Sequence, residues 1–347
     1  MTHRPMTVAY LLEDTVLFGG VKVILRQADL LADRGHRVTI VCLGQRPDWT
    51  DVRADFRTVP AFTPETVPEA DVTVATHWTT INPALDCAHG EIVHYCQGYE
   101  ASYTHNTDDH PLIDEVYRAP LPAMTVSPHL GELLRERYGR PSRTVLQPLE
   151  PFWRPSFLGR LRRSPTDPPR ILVMGPWEGD WKGVRTGLEA VLELRSRGAS
   201  CTLVRLSQYP LHTDEAALLT ADEYHHHIRP DEAARLVRSC DLLLAPSWEQ
   251  EGFGLPVLEA MAAGVPVVAS DISAFRGFAA PAAALVPPAD ATAFADAATG
   301  ILGDASRWRA MRRAGLAVAD GYSEDRAAAS AEDALRWVIS GVWKRPR

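Results

Sequence analysis

Short apolar runs rich in β-branched residues alternate with segments whose apolar positions recur at helical spacing, along most of the chain. In the first half the runs are Thr7–Leu12, Arg37–Leu43, Asp71–Thr76, Glu91–Cys96, Ala123–Ser127 and Arg143–Leu146. Their largely continuous apolar character predicts strands of a parallel sheet covered on both faces. Between the first two lies Val21–Arg34, where Ile24, Ala28 and Leu31 form a helical stripe and Gly35 supplies the stop. A strand–helix–strand unit of this kind predicts a doubly wound α/β domain.

The alternation breaks at Pro148–Pro155 and Ser164–Pro169, two proline-dense polar stretches with the composition of linkers. A second alternation follows. Its strands are expected at Arg170–Met174, Cys201–Leu206, Tyr224–Ile228, Asp241–Ala245, Val265–Ser270 and Ala283–Val286. Helices fit Gly183–Arg197, Asp231–Ser239, Pro256–Ala263, Asp290–Leu302, Ser306–Ala319 and Glu324–Ile339. A chain of 347 residues exceeds what one hydrophobic core comfortably serves. The expectation is two Rossmann-like domains, 1–160 and 161–323, facing across a cleft that serves as the ligand site.

Composition narrows the partners. Lys and Arg total 36 against 44 Asp and Glu, a net charge of −8 that argues against a nucleic-acid partner needing a broad basic face. Cys42, Cys87, Cys96, Cys201 and Cys240 are scattered without a CxxC pair, which predicts buried free thiols and a reducing cytoplasm. The first apolar run is too short for a signal peptide, and no apolar stretch reaches membrane-spanning length. The expected location is cytoplasmic, with at most peripheral contact at the inner membrane face through basic stretches such as Arg135–Arg143 and Arg160–Arg163.

The densest chemical signal is PSWEQEGFGLPVLE, Pro246–Glu259. After the strand ending at Ala245 the chain turns through Gly252 and Gly254 and enters a helix with Pro256 in its first turn, where a missing N–H costs nothing. Glycines admit a ligand close to the backbone, and a helix N-terminus offers unpaired N–H groups to an anion. Glu251 and Glu259 can accept hydrogen bonds from hydroxyls. Two carboxylates flanking an anion-binding helix end suit a polyhydroxylated diphosphate such as a sugar nucleotide.

The longer string PSWEQEGFGLPVLEAMAAGVPVVAS resembles the signature of the retaining family 4 glycosyltransferases of GT-B fold, whose two glutamates are spaced E-x7-E. The resemblance implies that Glu251 binds hydroxyls of the transferred sugar, that Glu259 binds the ribose, and that the backbone at Gly252, Phe253, Gly254 and Leu255 lines the sugar diphosphate. It implies that Ile228 and Arg229 lie at the nucleobase, that Gly19 and Gly20 form the glycine loop of the acceptor-side domain, and that the helix from about 324 to 347 completes that domain. His77, Trp78, His94 and Tyr99 are expected on the acceptor side.

Two departures from the family pattern stand out. Lys182 and Gly183 match the diphosphate-binding lysine and its glycine, beyond Gly175, but the usual arginine position is Pro176. Arg185 and Arg205 are candidate replacements. The family's His-Asp pair aligns with Gln97-Gly98, with His94 as competitor for the same role. Lys182, Glu251 and Gln97 are the expected catalytic residues.

The expected reaction moves a hexosyl or deoxyhexosyl group from a nucleoside diphosphate to an acceptor hydroxyl in a bacterial surface polysaccharide, glycolipid or natural product. By the family picture the leaving phosphate takes the acceptor's proton on the same face; no Asp-x-Asp metal motif appears at a strand end, so no metal or other cofactor is expected. His225, His226 and His227 are adjacent, so strand alternation sets them on opposite faces and argues against a metal site. The alternatives are a non-catalytic glycosyltransferase-like binding subunit, which Pro176 and Gln97 favour, and a sugar-nucleotide epimerase on the same fold.

Overall fold

A computed structural model describes residues 4–160 and 162–344. The chain forms two compact units: Met1–Pro148 with Glu324–Arg347, and Leu149–Ser323. Leu161, inside the basic stretch Arg160–Arg163, lies outside the described residues, as do the terminal residues 1–3 and 345–347.

The first unit holds β1 (Thr7–Leu12), β2 (Arg37–Cys42), β3 (Asp55–Thr58), β4 (Val72–Ala75), β5 (Glu91–Cys96), β6 (Ala123–Thr125) and β7 (Ser142–Thr144). All pair in parallel, in the order β3-β2-β1-β4-β5-β6-β7. Its longer helices are α1 (Gly19–Asp33), α2 (Trp78–Cys87), α3 (His110–Tyr117) and α4 (Pro128–Tyr138). The predicted runs are most deeply buried at the centre of the sheet, where β4 and β1 beyond Thr7 are buried because helices cover both faces, while β7 at the edge is largely exposed. Strand β3, DFRT, is a largely exposed edge strand, so it carries no apolar run by which to be recognised.

The second unit holds β8 (Arg170–Met174), β9 (Thr202–Ser207), β10 (Glu223–His226), β11 (Leu242–Ala245), β12 (Val267–Ser270) and β13 (Ala284–Val286). These too are all parallel, in the order β10-β9-β8-β11-β12-β13. The helices are α5 (Phe157–Arg160), α6 (Val184–Ser196), α7 (Thr213–Leu218), α8 (Pro230–Ser239), α9 (Leu255–Ala262), α10 (Ser273–Arg276), α11 (Ala291–Leu302) and α12 (Ala305–Ala319). Ile171, Val173, Leu188, Leu203, Leu244 and Phe294 form part of one buried core beneath the sheet. Strand β10 stops at His226, short of the expected Ile228, because His227 turns into the left-handed region at φ 50°.

The last helix, α13 (Glu324–Ile339), belongs to the first unit. Arg26 on α1 bonds Glu324 at 2.6 Å, and Arg34 bonds Glu332 at 2.9 Å, tying the two helices together. The expected boundary at residue 160 falls too late. Leu149 donates to the Tyr322 carbonyl at 3.1 Å and bridges Ser323, Arg154 pairs with Asp320 at 2.9 Å, and Trp153 is fully buried, so the segment after Pro148 is built into the second unit.

Candidate active site

In an open parallel sheet, ligands bind beyond the carboxyl ends of the strands where the chain reverses its direction of travel across the sheet. In the second unit the chain leaves β8 toward β9 and β10, then returns to β11 and moves toward β12 and β13. The switch lies between β8 and β11. The segment after β8 delivers Lys182, and the segment after β11 delivers Glu251. Lys182 Nζ sits 2.7 Å from Glu251 Oε2, which also accepts from Ser247 Oγ at 3.1 Å. Glu251 is buried, and the Lys182 side chain is mostly so.

Two glycines make this approach possible. Gly183 sits at φ 62°, and a Cβ there would lie 2.0 Å from the Pro246 carbonyl oxygen, so only glycine lets the lysine loop close on the strand end after β11. The same closure is held by Trp248 N–H donating to the Trp181 carbonyl at 2.7 Å. Gly254 caps α9 at φ 93°, with Phe275 Cε1 only 2.3 Å from where a Cβ would stand. The N-terminus of α9 therefore opens beside the Lys182–Glu251 pair, and Lys182, Glu251, Gly254, Pro256 and Phe275 share one small pocket. Glu259 is buried on the second turn of α9.

The remaining residues expected on the donor side differ in what they offer. The Phe253 ring stacks on Phe278 at 4.5 Å and approaches Tyr322 at 5.7 Å, so its contribution to a ligand is its backbone. Gly252 is buried in the same turn, and half-buried Leu255 opens the helix. Gly175, at φ 121°, packs against the Lys182 side chain. Ile228 and Arg229 lie past the edge strand β10, at the same carboxyl edge of the sheet but two strands from β8. Arg229 is exposed, with Asp231 3.7 Å away.

Arg205 is removed as the substitute for the arginine missing at Pro176. It is fully buried, its Nε bonds Glu215 at 2.7 Å, and its Nη atoms donate to the carbonyls of Val173 at 2.6 Å and Gly175 at 2.9 Å. Four of its five N–H donors are used inside the unit. Arg185, exposed on the first turn of α6, lies over the Trp177 ring at 5.3 Å. Among the described residues no group of three or more His, Cys, Asp or Glu gathers as metal ligands would, the adjacent histidines 225–227 included.

The first unit has its own switch, between β1 and β4. Here Glu13 follows β1 and His77 follows β4, with Glu13 Oε2 3.1 Å from His77 Nδ1. His77 is the N-cap of α2, and its Nδ1 also lies 2.9 Å from Thr79 Oγ1. Trp78 is half-buried beside it, ring centroids 5.9 Å apart. Gly19 and Gly20 open α1, and the Gln97 amide, just past β5, packs on Gly20, where a Cβ would meet Nε2 at 3.1 Å. Glu13 and Glu100 complete this rim, and the sequence reading names neither as functional. Their signal is positional: each follows a strand at or beside the switch.

Two acceptor-side expectations are corrected. His94 is completely buried, edge-on to Tyr117 at 5.2 Å, and neither ring nitrogen has a hydrogen-bond partner. The pleat sends it into the core, so it loses to Gln97 as the residue at the rim. Burial, then the charge of Arg140, hold its pKa well below the ordinary histidine value. Tyr99 is buried as well, its hydroxyl 2.8 Å from that of Tyr138. It belongs to an aromatic cluster with Tyr117 and Tyr138.

The family model "Glycosyl transferases group 1" matches residues 168–304, the span that contains both Lys182 and the Glu251–Glu259 helix. The matched span falls wholly within the second unit. The string whose resemblance to retaining family 4 is read from the sequence lies wholly inside this span. The chain is 32% identical over 137 residues to a phosphatidyl-myo-inositol mannosyltransferase of Mycobacterium leprae, covering 38% of this chain and 37% of that protein. It is 29% identical over 217 residues to a D-inositol 3-phosphate glycosyltransferase of Nocardia farcinica, covering 59% of this chain and 42% of that protein. The matches thus span less than half the length of these relatives. The fold extends further: the Anabaena Alr3699/HepE structure in complex with UDP-glucose superposes with a TM-score of 0.75 at 14% identity, over 96% of this chain and 100% of that one. Outside the span matched by the family model, the first unit is similar to such proteins in fold alone.

Proposed function

We propose that the chain is a retaining glycosyltransferase that moves a hexosyl or deoxyhexosyl group from a nucleoside diphosphate to an acceptor hydroxyl. The observation that carries this reading is the Lys182–Glu251 contact of 2.7 Å at the second unit's switch point, beside the open N-terminus of α9. A buried carboxylate and ammonium that satisfy each other are placed to part over a ligand bearing both hydroxyls and phosphates. In this reading Lys182 and the first amides of α9 neutralise the diphosphate as it leaves, Glu251 holds hydroxyls of the transferred sugar, and Glu259 holds the ribose. The first unit takes the acceptor, with Gln97 at its rim, and the leaving phosphate receives the acceptor's proton. Lys182 and the helix end supply the positive charge, so the reaction is proposed to run without a metal or other cofactor. The printed names of the relatives make mannosyl donors and inositol-bearing or glycolipid acceptors the first to try. Among the described residues no helix is long and apolar enough to cross a membrane, and action on a glycolipid would need only peripheral contact.

The test is calorimetry and thermal shift of the protein against UDP-, GDP-, dTDP- and ADP-sugars, with EDTA and with Mg²⁺, followed by product analysis at the anomeric carbon. Binding of one nucleotide class, weakened by Glu259→Ala, and a retained anomeric configuration are expected. A folded protein that binds none of the four in either condition sinks the reading.

A further inference from the structure

The Glu13–His77 contact occupies in the first unit the place that Lys182–Glu251 occupies in the second, at the carboxyl ends of the two strands flanking the switch. The histidine is held from two directions. Its backbone caps α2, and its Nδ1 faces Glu13 Oε2 at 3.1 Å and Thr79 Oγ1 at 2.9 Å. In the neutral ring this places the proton on Nδ1, where Glu13 accepts it, and leaves the Nε2 lone pair outward on a side chain that is 39% exposed. Beside it stands the half-buried Trp78 ring, an apolar surface with a polar edge of the kind on which a sugar ring rests. Carboxylates crowd this corner: Glu13 and exposed Asp14 after β1, and after β5 the buried Glu100, whose pKa burial raises and which feels Arg140 from behind.

We propose that this corner is the acceptor subsite, in which His77 Nε2 receives the hydrogen bond of an acceptor hydroxyl and Glu13 orients the ring, and that the acceptor is a polyhydroxyl compound carrying no phosphate or carboxylate there. The inference rests on the glycosyltransferase reading and adds to it the charge class of the acceptor. A phosphate brought to this corner meets two or three carboxylates in partly desolvated surroundings, a like-charge juxtaposition that works against binding. A neutral polyol keeps its hydrogen bonds, and an amine gains a partner. The neutral imidazole is the binding form, so pH enters with a definite sign. Burial pulls the His77 pKa down, but the hydrogen bond His77 donates to Glu13 and the charges of Glu100, Glu13 and Asp14 outweigh it and leave the pKa raised. His94, behind it on β5, stays neutral through burial and Arg140.

The experiment uses the full chain, the nucleotide sugar that binds in the calorimetric screen at saturation, and six acceptors: methyl α-D-glucopyranoside, glucosamine, glucose 6-phosphate, myo-inositol, its 1-phosphate, and water, read as donor hydrolysis. Acceptor kcat/KM is expected to be at least about tenfold lower for each phosphate than for its neutral parent, and highest for the amine. Glu13→Gln should narrow the amine-to-phosphate ratio and move the acidic limb of the pH profile to lower pH, since losing the carboxylate lowers the His77 pKa. His77→Gln should raise acceptor KM about tenfold with donor Kd unmoved. Preference for the phosphates, or variants that leave ratio, KM and limb in place, overturns the proposal. Donor hydrolysis with no transfer to any sugar or inositol also overturns it while leaving the proposed function standing; failure of the donor to bind removes both.

Discussion

The two units use one architecture and fill its switch point with opposite chemistry. In the second, a cation and a carboxylate meet between β8 and β11, screened from solvent and backed by a glycine-capped helix end. In the first, a histidine and a carboxylate meet between β1 and β4 with about two-fifths of each side chain exposed, and further carboxylates lie beside them. A buried, tightly closed pair dictates its neighbours: Gly183 and Gly254 have no alternatives, because a Cβ on either collides with backbone or ring. An open pair at a rim dictates little beyond its own two residues. The second unit's switch point is therefore written as a dense local string, and the first unit's as single residues far apart in sequence.

The largest effect that breaks the comparison is expected at Lys182. Lys182→Ala removes the diphosphate's cation and leaves the Glu251 carboxylate buried with only Ser247 Oγ for company. Loss of preorganised charge stabilisation of this kind costs about 10²–10³ in kcat. Steady-state kinetics with the best donor checks it, and kcat within a few-fold of the parent would remove Lys182 from the chemistry. If the two corners are as different as their burial implies, His77→Gln at the open rim costs less and shows in acceptor KM instead.

That asymmetry also explains what was legible in advance. The parallel strands and the helix entered through Gly254 and Pro256 follow from local runs and spacings, and Lys182 and Glu251 are singled out by the family resemblance, but their contact with each other appears only in the fold. Glu13 escaped because nothing local marks it: it ends an apolar run as any surface glutamate does, and acquires meaning only when β4 is laid beside β1. His94 was misjudged for the converse reason. A histidine at a strand's end looks functional in one dimension, and only the pleat against α3 shows it to be core. The exposed edge strand β3 and the helices α2, α3 and α4 drew no sequence expectation, since their weaker apolar patterns depend on tertiary neighbours.

A smaller effect sharpens the structural half of the contrast. Gly254→Ala forces a Cβ against Phe275 Cε1 at a position with φ 93°, so it carries both left-handed strain and overpacking. Together these are expected to cost about 2–4 kcal/mol. Gly35→Ala, at φ 88° with nothing within 4 Å, carries strain alone and should cost about 1–2 kcal/mol. Urea denaturation of both variants against the parent checks the difference, and equal losses would mean that the close packing under α9 relaxes.

The smallest effect separates the buried histidine of the first unit from the exposed one. His94 has a folded pKa well below its unfolded value, so at pH above about 6.5 neither state binds its proton and stability is full. As pH falls below that value the unfolded chain takes up the proton while the folded ring does not, and stability is lost at up to about 1.4 kcal/mol per pH unit until the folded pKa is reached. His77 runs the other way: its raised pKa contributes stability below the unfolded value that is lost as pH rises through the folded one. His36, also lowered by burial first, adds its own acid sensitivity in every variant. Melting temperatures of the parent and of His94→Leu between pH 5 and 8 isolate the His94 share. The parent is expected to lose melting temperature faster than the variant on the acid side and to run parallel to it above pH 7. Curves that stay parallel throughout would mean that the unpartnered ring takes up a proton in the folded state, and with it that the interior beneath β5 is wetter than its burial implies.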